Sequence, residues 1–307
     1  MIKYYVRLTG PDVREGSLSG SVMAEVLHIL ADGARRALRL RVEGRSTARG
    51  PAPSWLARGA DFQVTGLTSG SAVLIFEAAA VEDATSPGQF GLFDPDDNLE
   101  TTGLGLLQES IDAALAGDAS ADTLDDGLLE SVTRWRGVLA HGVDVAELRP
   151  ERGAVTRVTL AGVDRAEQLR RETPPPQRVR VAGWLDQIRH SDRMFTIKLG
   201  DNTTLRGLAE GVEAERLAAL FGKKAIVAGM AYFRPSGRVL RIEADRIEPA
   251  DESFGLWSFE PKPALGAPPA DQLRKPQGPR TGMAAIIGEW PGDESDEDVD
   301  EALRAMS

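Results

Sequence analysis

One stretch, residues 177–248, limits the possible folds more than any other. "RVRVAGWLDQI" alternates apolar and polar side chains, with Val179 and Val181 on one side. "MFTIKLG" does the same with Phe195, Ile197 and Leu199, and Asp201-Asn202 turns the chain into "TTLRGL". Successive side chains of a strand point to opposite faces, so each run reads as a strand with one buried side. Val212, Leu217 and Leu220 then fall at helical spacing near 212–220. Two further strands follow, "KAIVAGMAYF" and "RVLRIEADRI", joined at Pro235-Ser236-Gly237. Three strands, one helix and two strands within about seventy residues is the order of a five-stranded Greek-key barrel.

The same segment resembles a known family. "VRVAGWLDQIRHSDRMFTIKL" is similar to the opening of nucleic-acid-binding OB domains, where a glycine-containing first strand runs through a basic loop into the second. That resemblance implies a ligand face on strands two and three with the adjoining loops. Thr196 and Lys198 on the second strand, and Thr204 and Arg206 on the third, alternate outward. Arg189, His190 and Arg193 lie in the first loop, and Arg234 and Arg238 flank the last hairpin. Such a basic track can follow a phosphate backbone. Stacking aromatics are few: Trp184, Tyr232 and Phe233, since Phe195 alternates into the core. The candidate nucleic-acid-binding set is therefore Trp184, Arg189, Arg193, Lys198, Arg206, Arg234 and Arg238, with single-stranded nucleic acid as the ligand. A structural or protein-binding barrel is the alternative.

Upstream, residues 1–176 read as an α+β domain with a helical insert. Residues 2–8 alternate as a strand, and Val22, Val26, Leu27, Leu30, Ala34 and Leu38 recur at helical spacing through about residue 39. "DFQVTGLTSGSAVLIFEAAA" reads as two strands around a turn at Thr68-Ser69-Gly70-Ser71, and 83–100 as a loop. Helices are expected at about 103–116 and 123–140, the second with Leu124, Leu128, Leu129, Val132, Trp135 and Leu139 on one stripe. A strand near 154–161 and a helix near 163–171 lead to the stiff boundary Pro174-Pro175-Pro176. Beyond the barrel (177–249), residues 250–281 are a proline-rich linker. Its opening "SFGLWSF" offers Phe254, Trp257 and Phe259 as a clasp folding back on a domain.

The charge is unevenly spread. The chain carries −11 overall, yet 178–248 holds thirteen bases and nine acids, while 281–307 holds eight acids and the single base Arg304. Such asymmetry bears on partners rather than on fold. There is no cysteine, so thiolate metal sites, disulfides and thiol nucleophiles are excluded. The amino-terminal residues, with Lys3 and Arg7, lack the apolar core of a signal peptide, and no apolar run approaches the ~20 residues of a spanning helix. The expectation is a cytoplasmic protein with no membrane association.

The closing segment 282–307 has the form of a partner-binding device. Met283 to Ile287 is apolar and extended, Gly288 breaks it, and Pro291 holds Trp290 extended. Ser295 suits a helix N-cap, and Val299, Ala302, Leu303 and Met306 share one helical face. A helix of about a dozen residues is marginal alone. Ile286, Ile287, Trp290, Val299 and Leu303 contribute roughly 1.5–3 kcal/mol each if fully buried. Ordering about twenty backbone residues at ~1–2 kcal/mol each opposes this. Charge complementarity and main-chain pairing must add to the anchors, which points to a basic partner with a groove or edge.

"IIGEWPGDESDEDVDEALRAMS" is similar to the C-terminal tails of bacterial antitoxins paired with PIN-domain ribonuclease toxins. That resemblance implies a tail that wraps the toxin and occludes its acidic, magnesium-dependent site. By position, Ile286, Ile287, Trp290 and Leu303 would be groove anchors beside Pro291 and Val299, and Arg304 would reach the toxin's metal-binding carboxylates. The chain departs from that family in its length and in lacking a ribbon–helix–helix head. The rival function is an OB-fold nucleic-acid-binding protein whose acidic tail recruits a repair or replication partner.

No residue set supports an enzyme. "DPDDN" (94–98) is followed by Leu99 where a calcium loop needs glycine, and no glutamate closes the loop. "LFGKKA" lacks the full phosphate-loop pattern, and Ser69 and Ser71 have no acid–base pair beside them. His28, His141 and His190 share no ligand spacing, so no metal and no cofactor is expected. The expected fold class is α+β and multidomain: an α+β unit with a helical extension, a five-stranded OB-like β-barrel, and a flexible acidic tail.

Overall fold

The computed structural model describes residues 1–13, 17–48, 50–68, 72–84, 100–189 and 193–264. It is a mixed α+β structure, and Met1–Gly266 form one compact unit. The chain begins with strand β1 (Ile2–Thr9), helix α1 (Gly20–Glu43), helix α2 (Ser54–Gly59), strands β2 (Phe62–Thr68) and β3 (Ala72–Ala78), and helix α3 (Val81–Ala84). Helices α4 (Gly103–Ala116), α5 (Asp126–Thr133) and α6 (Trp135–Leu139), strands β4 (Val145–Pro150) and β5 (Thr156–Val158), and helix α7 (Leu160–Glu172) complete this half.

These strands form a five-stranded antiparallel sheet in the order β2-β3-β1-β4-β5. Alternation gives it one buried side. Tyr4, Val6 and Leu8 of β1, Leu74 and Phe76 of β3, and Ala146 and Leu148 of β4 join one core with the apolar faces of α1, α4, α5 and α7. On the opposite side Lys3 pairs with Glu77 at 3.7 Å, and Arg157 with Glu147 at 3.0 Å. Helix α1 starts where Ser19 Oγ accepts from the Val22 N–H, and stops at Gly44, whose φ of +68° a residue with a side chain adopts at a cost. Its crossing with α4 is close: a Cβ on Gly33 would lie 2.7 Å from a Leu107 methyl.

The second half is a closed barrel of strands β6 (Gln177–Arg189), β7 (Met194–Lys198), β8 (Thr204–Leu208), β9 (Lys224–Phe233) and β10 (Val239–Pro249), with helix α8 (Ala214–Ala219) between β8 and β9. The order β10-β8-β7-β6-β9 closes through a parallel contact of β8 with β10, Gly207 opposite Ile242. This architecture is compatible with an OB-like fold. Its core holds Val181, Phe195, Ile197, Leu199, Leu205, Val227 and Ile242, with Val212, Leu217 and Leu220 plugging one end. Strong coiling needs glycine at tight crossings: a Cβ on Gly229 would meet the Glu243 carbonyl oxygen at 2.1 Å.

After β10 the chain folds back on the barrel. A short 3-10 helix (Glu252–Leu256) begins where Asp251 Oδ1 accepts from the Ser253 N–H at 2.8 Å. The Ala182 N–H donates to the Trp257 carbonyl at 2.8 Å, and the Gly200 N–H to the Ser258 carbonyl at 3.3 Å. The clasp read from "SFGLWSF" holds for Phe254, packed edge-on against Trp184 at 5.7 Å, and for the Trp257 main chain, whereas Phe259 stays exposed.

Two local expectations are revised. The helix expected over 123–140 is two, α5 and α6, meeting at Arg134, although the stripe from Leu124 to Trp135 is buried as expected. Strand β4 was not foreseen; it pairs along β1 from Thr9 opposite Val145 to Tyr4 opposite Pro150. Among the described residues, no helix is long and apolar enough to cross a membrane.

Candidate functional site

The barrel surface that the OB resemblance assigns to a ligand comprises the exterior of β7 and β8, the β6–β7 loop and the β9–β10 hairpin. Strand alternation positions its side chains as expected. Phe195 and Ile197 are buried, while Lys198, Thr204 and Arg206 are exposed. Where the basic residues lead is the main finding. Three of them, Arg189, Arg206 and Arg234, lie against the amino-terminal half of the same chain.

Arg189, at the end of β6, donates from Nη2 to the Val42 carbonyl at 2.6 Å, in the last turn of α1. Arg234, at the start of the β9–β10 hairpin, donates to the Ser120 carbonyl at 3.1 Å and pairs with Asp122. Beside it, the Ser236 N–H donates to the Ala119 carbonyl at 3.0 Å. Arg206 lines a cleft of about 100 Å³ whose other walls include Leu40 and Arg41 of α1, Ser110 of α4, and Asp122 and Thr123. Arg193, held at a positive φ of 57°, ties down its own barrel, donating to the Glu210 and Val212 carbonyls at 2.5 and 3.0 Å. Carbonyl and carboxylate oxygens of this chain thus occupy donors that a phosphate backbone would need.

The centre of this contact is an arginine outside the candidate track. Arg241 of β10 is buried; its Nη1 donates to the Gly44 carbonyl at 3.3 Å and lies 3.9 Å from Asp125. Its Nε donates to Glu243 at 3.1 Å, and its guanidinium sits 4.0 Å over the Tyr232 ring. Burial, then the charge of Glu243, lifts the Tyr232 phenol above its ordinary range, while Arg241 opposes the shift. Asp125 also accepts from the Leu128 N–H, capping α5, and from the Ser46 N–H at 2.9 Å. Nearby, Arg45 bridges Glu43 (3.2 Å) and Glu210. A planar guanidinium with five N–H donors suits such a site, because it can satisfy a carbonyl, two carboxylates and a ring face together. Sequence offers one faint signal for it, an arginine alternating among apolar residues in "RVLRIEADRI".

The remaining residues of the candidate track fall elsewhere. Arg238 lies 3.6 Å from Glu260, which also accepts from the Val239 N–H. Lys198 is exposed on β7, directly across from Trp184. His190 lies outside the described residues, as do Ser69, Ser71 and the 94–98 loop. So do all the partner-binding residues of the tail: Ile286, Ile287, Trp290, Pro291, Val299, Leu303 and Arg304. His28 Nε2 is 3.4 Å from Arg134, and His141 Nδ1 is 2.8 Å from the Gly137 carbonyl. Among the described residues, no three His, Asp or Glu side chains are grouped to hold a metal ion.

Fold and site together define an α+β protein whose five-stranded barrel is joined through arginines to a helix-backed sheet. No family model, curated protein or solved structure matches the chain.

Proposed function

We propose that this chain is an antitoxin-like protein that binds and neutralises a PIN-domain ribonuclease through residues 282–307. The described unit serves as its scaffold, and no catalytic role is assigned to it. The reading starts from the tail's apolar pair, Trp-Pro-Gly and acidic run, and from their resemblance to antitoxin tails. One structural observation supports it over the nucleic-acid rival. Arg189 and Arg234, which the rival needs for phosphates, instead hold the Val42 and Ser120 carbonyls and Asp122. The barrel thereby loses part of its basic track, and the concentrated charge of the tail keeps its need for a basic partner.

The test is rescue and inhibition. A chain lacking 282–307 is expected to fail both to restore growth of cells expressing the cognate ribonuclease and to inhibit that enzyme in a purified RNA-cleavage assay. Trp290→Ala is expected to weaken inhibition by roughly tenfold or more, as loss of a central aromatic anchor does. Full inhibition by the truncated chain would overturn the mechanism. Tight, salt-sensitive binding of single-stranded nucleic acid by the same chain would favour the rival.

A further inference from the structure

The barrel exterior also carries a row of residues centred on Trp184. Trp184 of β6 pairs across the sheet with Lys198 of β7 on one side and Lys224 of β9 on the other. Directly opposed residues of antiparallel strands share a face, so the indole stands between two ammonium groups on the barrel's exterior. All three side chains are exposed. Lys224 Nζ lies 5.2 Å from the Trp184 ring centre and 4.9 Å from that of Phe254.

Apolar side chains surround this row. Among the described residues the exposed large aromatics are Trp184 (39%), Phe221 (59%) and Phe259 (66%), and Phe221, Phe259 and Leu256 (74%) lie on segments hydrogen-bonded to the strands of this row. Phe221 precedes Gly222, whose N–H donates to the Leu185 carbonyl next to Trp184. Phe259 follows Ser258, whose carbonyl accepts from Gly200, two residues beyond Lys198. Scattered apolar residues on a surface need no explanation, whereas exposed aromatics gathered on one side mark an interaction site.

The charge around them is equally specific. The chain has six lysines among its 36 basic residues, and three of them, Lys198, Lys223 and Lys224, stand in this patch. None of the three forms an ion pair among the described residues. Of the clasp's carboxylates, Asp251 holds Ser253 and Glu260 holds Val239 and Arg238, while Glu252 is exposed.

We propose that the barrel exterior around Trp184 is a docking surface for an acidic peptide segment of a partner protein, one with bulky apolar side chains among its carboxylates. The apolar side chains would cover Trp184, Phe221, Leu256 and Phe259, and the carboxylates would meet the three lysines. The lysines favour a peptide over nucleic acid. Planar arginine is the side chain matched to phosphate, and none stands in this row, whereas a flexible ammonium adapts to carboxylates at varied positions. Residues 1–280 also carry a net −4, the remainder of −11 after the −7 of 281–307, which disfavours a long polyanion lying across the unit.

The experiment uses the full chain and a fluorescein-labelled synthetic peptide in which Asp and Glu alternate with Leu and Phe. Controls are the same peptide with serine at every apolar position, and a labelled oligothymidylate. Anisotropy titrations at low salt are expected to saturate with the first peptide and to weaken by about tenfold for Lys198→Ala/Lys224→Ala and for Leu256→Ser/Phe259→Ser. The serine peptide and the oligothymidylate are expected to bind at least about tenfold more weakly. These side chains are exposed, so circular dichroism should show both variants folded. No saturable binding of the first peptide, binding unchanged in both variants, or tighter binding of the oligothymidylate would each overturn the proposal.

Discussion

Two surfaces of one barrel use positive charge in opposite ways. Around Arg189, Arg234 and Arg241 every guanidinium meets oxygens of the amino-terminal half of the chain, and Arg241 is buried there. Around Trp184 the cations are lysines, they face solvent, and carboxylates do not pair with them among the described residues. A guanidinium keeps its charge and offers several donors in fixed directions, so it can close a buried joint against main-chain carbonyls. An ammonium on a flexible stem holds its water and suits an open surface. Charge alone therefore does not identify a binding face; the type of cation and the oxygens already within reach decide it.

The comparison can be broken at its strongest point first. Arg241→Ala removes a buried cation and leaves Asp125 without it, which is expected to cost about 3–5 kcal/mol of stability in urea unfolding. A loss below about 1 kcal/mol would mean that the joint is not held by this residue. A double-mutant cycle between Arg234→Ala and Asp122→Ala should give a coupling of about 0.2–1 kcal/mol, because Asp122 is largely exposed.

A pH titration extends the contrast to the helices behind the sheet. Burial pushes the Glu130 carboxyl upward, but the hydrogen bond from Arg36 and the charges of Arg36, Arg134 and Arg170 prevail and hold it below its ordinary 4.5. A depressed carboxylate stabilises the fold fully above its unfolded value and less as pH falls through the folded one. Unfolding measured from pH 7 down to pH 3 should therefore show a loss, limited to a few tenths of a kcal/mol by partial exposure, that Glu130→Gln abolishes. The smallest effect belongs to the open surface: Lys198→Ala/Lys224→Ala should change stability by less than about 0.5 kcal/mol.

What could be read in the sequence divides along physical lines. All five barrel strands and their helix were legible because each alternates apolar and polar residues between turn residues, as at Asp201-Asn202 and Pro235-Ser236-Gly237. Strand β4 was not, since "VAELRP" places only Ala146 and Leu148 inward and ends in proline. The break between α5 and α6 falls at Thr133-Arg134, with neither glycine nor proline to mark it. Which residues face outward on the barrel was also legible. What they face was not, because Arg189 meets Val42 and Arg234 meets Asp122 across more than a hundred residues of sequence. Periodicity records a residue's own environment; it carries no information about a distant partner.

The position of β1 has a consequence for how the molecule is made. It is the middle strand of its sheet, hydrogen-bonded to β3 on one side and to β4 on the other, and it is synthesised before both. At about 5–20 residues per second, Val145 is synthesised roughly 7–27 s after the Thr9 it pairs with. For that interval one flank of the nascent strand has no native partner. Lys3 and Arg7 place charge along that strand, and charge on an unpaired strand edge opposes mispairing.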